Sequence, residues 1–134
     1  MSEAILDDAA LLAGFVAATL PGPAFGHREH VRVAFLFLRT YDDFGAAAVA
    51  FRAALRRFVA ALGAEDRYHE TLTWAYLALV HEHMHGHDDA DSVAFLARCP
   101  RLGQHRGGEL ESRCDVAGLL ASPLARRVLV WPSR

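Results

Sequence analysis

The sequence predicts an all-α protein, a single-domain bundle of five to six helices with short loops that spans residues 1–134. Composition points this way, since 25 Ala and 18 Leu favour helix while β-branched residues are sparse, with a single Ile. Apolar residues recur at helical spacing, and Pro and Gly separate the periodic segments. With 53% hydrophobic residues, a chain of 134 can bury a core without disulfides.

The first two helices are predicted from a stop signal and an apolar run. The first covers about 5–20 and ends at Pro21-Gly22-Pro23, through which a helix does not continue. The second covers about 28–41, where Asp42-Asp43 mark a turn. Its middle, 33–38, is apolar on all sides, which predicts a central buried helix.

The third helix is predicted over about 44–62 by an amphipathic pattern. Phe51, Leu55, Phe58 and Leu62 recur at i, i+4, i+7 and i+11, and Gly63 follows as a helix stop. The arginines of this helix lie elsewhere on its surface and are predicted to form a solvated face; they are Arg52, Arg56 and Arg57.

The second half of the chain is predicted to be more broken. A fourth helix covers about 67–84 and ends at Gly86, and a fifth runs from Asp91 or Ser92 to Cys99 before Pro100. Residues 101–111 are predicted to form a glycine-containing loop. Short helical segments follow over about 115–121 and 122–127, with an apolar tail, 128–131, lying across the bundle.

Charge and hydropathy exclude several classes of partner. The formal net charge is −2 and the pI about 6.4, so the chain lacks the basic field that nucleic-acid binding needs. No apolar run reaches the length of about 18 residues that a membrane span needs. The N-terminus is not a secretory signal, and Cys99 and Cys114 do not form a disulfide framework. We therefore expect a cytoplasmic protein that binds neither nucleic acid nor membrane.

Two polar motifs are predicted to meet at one end of the bundle. They are His27-Arg28-Glu29-His30, at the start of the second helix, and Tyr68-His69-Glu70-Thr71, at the start of the fourth. Short loops make the second and fourth helices parallel, so their starts share one end. His27 and His30 lie about 60° apart on a helix and face the same way as the apolar residues that follow.

These motifs predict a metal-dependent enzyme that acts on a small molecule. His27, His30 and His69 are the expected ligands, with Glu70 as a fourth ligand or the general base and Tyr68 as a further catalytic residue. The cofactor would be a divalent transition metal, Fe, Cu, Zn, Mn or Ni. Two alternatives stay open at this point, a metal-free pocket and a non-enzymatic binding or interaction module with structural histidines. Association into a homo-oligomer is also left open.

A second histidine-rich segment runs from His81 to His87, at the far end of the fourth helix. Alternating His and a Met are typical of copper or nickel chelation. However, helical residues two apart point in different directions, which favours a polar helix end over one shared ion. Copper or nickel binding here is the third hypothesis.

The two motifs also carry a resemblance. The segments His27-Arg28-Glu29-His30-Val31-Arg32-Val33-Ala34 and Tyr68-His69-Glu70-Thr71-Leu72-Thr73-Trp74-Ala75 resemble those of a family of short, uncharacterised bacterial all-helical proteins. The resemblance extends over most of the chain and implies a helical fold but no activity. In size and helix count the chain is also similar to the DinB-like metal-binding bundles.

Overall fold

The computed structural model describes residues 5–133, and in that range it holds eight α-helices and no strand. The all-α, single-domain prediction is therefore confirmed. Five of the eight helices have seven residues or more. The helices are α1 (Asp8–Val16), α2 (His27–Thr40), α3 (Phe44–Ala61), α4 (Glu70–Met84), α5 (Ser92–Arg98), α6 (Glu109–Arg113), α7 (Val116–Ala121) and α8 (Pro123–Arg127).

Three single turns of 3₁₀ helix replace parts of the predicted helices and loops. They cover Gly22–Ala24, Glu65–Arg67 and Pro100–Gly103. The first helix is shorter than the predicted 5–20, because Ala18 takes a left-handed conformation at φ 56° and the chain leaves the helix there. The fourth helix begins at Glu70 rather than near Arg67, because His69 caps it. The predicted loop 101–111 contains the third turn and the start of α6.

Helix α2 is the central element, as its apolar run predicts. Eight consecutive residues, 31–38, are buried, and α2 packs against α1, α3, α4 and α5. Apolar side chains on every side of a helix are buried only where neighbours surround it. The start of α2 and the start of α4 lie at the same end of the bundle, where both border one cavity.

One charged side chain lies within the buried stretch 31–38. Arg32 is 2% exposed and donates from Nε to Ser92 Oγ at 2.7 Å, and from Nη2 to Asp8 Oδ1 at 3.2 Å. Asp8 also accepts from the backbone N–H of Ser92 at 2.9 Å. This network joins α1, α2 and α5, and it provides the buried guanidinium with a counter-charge.

The C-terminal tail crosses the bundle as predicted. The Thr71 hydroxyl of α4 lies 2.8 Å from the carbonyl oxygen of Ala125 and 2.9 Å from that of Val128, and it accepts from Val130 N–H at 2.9 Å. Trp131 at the end of the tail is 87% exposed. Across residues 5–133, no helix is both long and apolar enough to cross a membrane.

Removing the counter-charge of Arg32 should destabilise the fold. We expect Asp8→Ala to lower the free energy of unfolding by about 2–3 kcal/mol, because it leaves a buried guanidinium unpaired. Urea unfolding measures this loss. Asp88→Ala, at an exposed position, is the control and should change stability by no more than about 0.5 kcal/mol. Equal stability of the two variants would contradict the assigned role of the network.

Candidate functional site

A cavity of about 450 Å³ lies between the starts of α2 and α4. Its polar lining consists of imidazoles, phenols, one hydroxyl and one guanidinium, and its walls are aromatic and aliphatic. The polar residues are His27, His30, Arg67, Tyr68, His69, Thr73, Tyr76 and His105. The apolar side chains are Phe25, Leu55, Val59, Leu72 and Leu120. The prediction that the two motifs meet is confirmed in this respect, since all three predicted histidines border the same space.

His30 presents an unpaired imidazole to this space. Its ring stacks on Phe51 at 5.5 Å between centroids and lies 6.0 Å from the ring of Phe25. Neither ring nitrogen has a hydrogen-bond partner among residues 5–133, and neither is sealed off from solvent. Burial, reinforced by the nearby His27, lowers the pKa of His30 to about 4. The ring is therefore neutral at pH 7 and keeps a free lone pair.

His27 is held in place by the 3₁₀ turn Pro100–Gly103. Its Nε2 lies 2.9 Å from the carbonyl oxygen of Leu102, so Nε2 carries the proton and Nδ1 the lone pair. The ring lies 5.0 Å from Tyr76 and 5.6 Å from His105. Burial lowers the pKa of His27, and the Leu102 carbonyl only partly opposes this effect. His27 is thus a second neutral imidazole in the cavity.

His69 uses both of its ring nitrogens to hold backbone. Its Nδ1 accepts the N–H of Leu72 at 3.1 Å and so caps the start of α4. Its Nε2 lies 2.8 Å from the carbonyl oxygen of Leu119, which joins α4 to α7. The side chain is 6% exposed. Because one nitrogen accepts and the other donates, neither has a lone pair to offer to a metal in this arrangement.

The carboxylate of Glu70 is occupied by three donors and is not part of the cavity lining. It accepts from Arg52 Nε at 2.8 Å, from the Tyr68 hydroxyl at 2.6 Å and from Trp74 Nε1 at 3.1 Å. Burial acts to raise the pKa of Glu70, but the bonds from Tyr68, Arg52 and Trp74 outweigh it and lower the pKa. Glu70 is therefore an anion whose charge is balanced by Arg52.

Tyr68 borders the cavity, but its hydroxyl donates its hydrogen bond to this carboxylate. Burial, together with the hydrogen bond to Glu70, raises the pKa of Tyr68 to about 12. The guanidinium of Arg56 lies 5.2 Å from the centre of the Tyr68 ring. Of the arginine face predicted on α3, Arg56 and Arg57 are exposed as expected, whereas Arg52 is half-buried and pairs with Glu70.

The His81–His87 segment lies at the opposite end of α4, and its side chains diverge. His83 Nε2 lies 2.7 Å from Glu109 Oε2, and the His81 ring lies 4.9 Å from that of Phe44. His85 and His87 are exposed. In the described part of the chain, no three His, Cys, Asp or Glu side chains are arranged to hold a metal ion. This holds for the four predicted ligands as well as for this segment.

Four polar residues of the cavity lie outside the two motifs. Arg67 ends the 3₁₀ turn Glu65–Arg67, Thr73 and Tyr76 lie further along α4, and His105 lies in an irregular connection. Arg67 directly precedes Tyr68 in the sequence, which was a usable signal once the motif was placed at a pocket. His105 follows no periodic pattern and gave no such signal.

Comparisons of the chain with known protein families, with curated proteins and with solved structures find no match. The resemblance to short, uncharacterised bacterial proteins is supported only in that the described chain is helical. The site must therefore be interpreted from its own chemistry.

The lowered histidine pKa values predict a loss of stability that begins at a pH above the range in which carboxylates titrate. His30 has a pKa of about 4 in the folded chain and one near 6.5 when unfolded, so the unfolded state takes up the proton first. Stability should be full above pH 6.5 and fall by about 2–3 kcal/mol as the pH drops toward 4. His27 contributes with the same sign. Urea unfolding across this range measures the slope.

Two variants isolate the contribution of His30. His30→Gln removes the titrating ring and should flatten the slope between about pH 6.5 and 5.5, above the range in which Asp and Glu titrate. His85→Gln removes an exposed ring and should leave the slope unchanged. An undiminished slope in His30→Gln would show that the ring is not held neutral by the fold.

Proposed function

We propose that the protein is an enzyme that binds a small organic molecule in the histidine cavity and transfers a proton there. The observation that carries this proposal is the imidazole of His30, which is neutral at pH 7 and has no hydrogen-bond partner in the described chain. Both ring nitrogens are reached by solvent and have no partner in the described chain, so a ligand in the cavity can bond to them directly. The cavity volume of about 450 Å³ lies within the usual range for small-molecule sites.

We assign each residue of the cavity a role in this reaction. His30 accepts the proton through a ring nitrogen, and the lone pair on His27 Nδ1 offers a second acceptor whose tautomer the Leu102 carbonyl fixes. Tyr76 is protonated at neutral pH, since burial raises its pKa to about 12, and it can donate to the substrate. Tyr68 is positioned by Glu70 and acts as a rigid wall. The apolar side chains exclude water and orient the substrate.

A base of such low pKa works only under one condition. An imidazole with a pKa of about 4 is available for a proton but binds it weakly. The proton is retained when negative charge develops beside the ring, because an adjacent anion raises the pKa of an imidazole. The proposed reaction is therefore a proton abstraction that leaves negative charge on the substrate within the cavity.

The base can be tested without the natural substrate. Nitrobenzisoxazole is a neutral, flat aromatic compound that opens to a coloured cyanophenolate when a base removes its ring proton. We expect saturable turnover that falls at least about tenfold in His30→Gln and is unchanged in His85→Gln. Because His30 is already neutral, the rate should be flat from about pH 6 to 8 rather than rise through the ordinary imidazole pKa near 6.5. Equal rates for the two variants would contradict the proposal.

A metal-dependent reaction is the second candidate, and the convergence of His27, His30 and His69 on one cavity favours it. Fe, Cu, Zn, Mn or Ni would need His69 to release Leu72 N–H and the Leu119 carbonyl, or Glu70 to leave Arg52. The predicted ligands do not fit an ion as they are placed, so we derive no step through a metal. The non-enzymatic alternative rests on His69, whose bonds are all structural.

His69→Ala separates these two roles. If His69 is structural, the variant should lose about 2–3 kcal/mol of stability, because it loses a helix cap and leaves a buried carbonyl unpaired. The loss should be the same with EDTA and with added Zn²⁺ or Fe²⁺. His69→Asn keeps a capping oxygen and should recover about 1 kcal/mol. Stoichiometric metal that is bound by the wild type and lost by His69→Ala would favour the metalloenzyme instead.

Three wider statements are also proposals. We propose that the chain belongs to the bacterial family that its two motifs resemble, that it acts in the cytoplasm, and that it binds no nucleic acid. Copper or nickel binding by 81–87 receives no support from the placement of its side chains, since His83 is paired with Glu109.

A further inference from the structure

We infer that the molecule bound in this cavity is an organic anion, a carboxylic acid with an aromatic or aliphatic body. This inference rests on the proposed small-molecule function and names the class of its ligand. It follows from the distribution of charge around the cavity, from the donors that border it and from the nature of its walls.

The lining of the cavity contains a cationic side chain and no carboxylate. The guanidinium of Arg67 is exposed, and within residues 5–133 it has neither an ion pair nor a hydrogen bond. An arginine without a protein counter-charge at the edge of a pocket is suited to a planar anion, which it binds through two parallel hydrogen bonds.

The acidic residues of the two motifs, Glu29 and Glu70, are already satisfied elsewhere. Glu29 Oε1 accepts the backbone N–H of Gly26 at 2.9 Å, and Glu70 is paired with Arg52. Neither residue lines the cavity. A cationic ligand would therefore find no counter-charge in the lining, and an anion would meet no carboxylate there.

The start of α2 adds to this positive potential. Gly26, the cap residue, has no side chain to satisfy the first amides of the helix, and both Gly26 and His27 border the cavity. Helix amino termini carry partial positive charge and bind anions through free amides. The α4 terminus, by contrast, is capped by His69. The cavity is therefore bordered by hydrogen-bond donors and by no carboxylate that could accept from them. These donors are the first amides of α2, the guanidinium of Arg67 and the hydroxyl of Tyr76.

The walls of the cavity argue for an organic body rather than an inorganic anion. Phe25, Leu55, Val59, Leu72 and Leu120 contribute apolar surface. Apolar surface of this kind contributes to affinity only when the ligand covers it with carbon atoms. A ligand with a carboxylate beside Arg67 and a hydrophobic body against these side chains complements both the charged and the apolar part of the cavity.

Three probes of one shape test this assignment. Naphthaleneacetate, naphthylethanol and naphthylethylamine present an anion, a neutral hydroxyl and a cation on the same ring system, and inorganic phosphate presents an anion without a body. Calorimetry at one salt concentration gives their affinities. We expect naphthaleneacetate to bind at least about tenfold more tightly than the other three.

Two variants assign the preference to Arg67. Arg67→Gln should reduce the affinity for naphthaleneacetate about tenfold and leave that for naphthylethanol unchanged. Arg57→Gln, at an exposed arginine of α3 outside the cavity, should change neither affinity.

Several results would overturn the inference. Equal affinities for the acid, the alcohol and the amine would show that the cavity does not prefer an anion. Tight binding of phosphate would show that the ligand needs no organic body. In both cases His30-dependent opening of nitrobenzisoxazole would leave the proposed function standing. Failure of all three naphthyl probes to bind, together with loss of that reaction, would reject both proposals. An equal effect of Arg57→Gln and Arg67→Gln would show a general charge effect.

Discussion

The imidazole of His69 determines how this end of the bundle is built. By accepting the Leu72 N–H and reaching the Leu119 carbonyl, one side chain starts α4 and fixes α7 against it. Thr73 Oγ1 adds a bond of 2.7 Å to the carbonyl of His69 itself. These contacts hold the wall of the cavity that faces His27 and His30. A site built on helix ends rather than on mobile loops has the rigidity that binding and catalysis require.

The charges near this wall are arranged so that the cavity itself contains no anion. Arg52 reaches across from α3 to neutralise Glu70, while Tyr68 and Trp74 complete the bonding of its carboxylate. His27 and His30 consequently form no hydrogen bond to a carboxylate in the described chain, and burial has the largest effect on their pKa values. Burial favours the uncharged ring, as the lowered pKa values of His27 and His30 show. The absence of a carboxylate from the lining therefore accounts both for the neutral, unpaired ring of His30 and for the proposed preference for an anion.

The sequence predicted the framework of the molecule well, and for physical reasons. Residues 33–38 of α2 are apolar all round, so only a central position could bury them, and the stop signal at Gly63 follows from backbone sterics. Gly63 has a φ of 67°, in the left-handed region that ends a helix. The meeting of the two motifs followed from short connections alone.

The chemistry of individual side chains was harder to predict, because it depends on partners that are distant in sequence. His69 was expected inside a helix that began near Arg67, whereas it is the cap of that helix, and this difference gives both ring nitrogens a backbone partner. Arg52 has the spacing of a solvated residue, and only the packing of α3 beside α4 brings it to Glu70. His105 reaches the cavity from an irregular segment that no periodicity describes.

The most direct test is to record the protonation of the histidines by long-range proton–nitrogen NMR through a pH titration. The account predicts that the proton of His69 lies on Nε2, opposite the Leu119 carbonyl, and that His30 takes up its proton with a midpoint near its folded-state pKa of about 4. The chain unfolded in urea, in which an imidazole has its ordinary pKa of about 6.5, serves as the reference. A His30 midpoint close to about 6.5, or a His69 with a free ring nitrogen, would contradict the account.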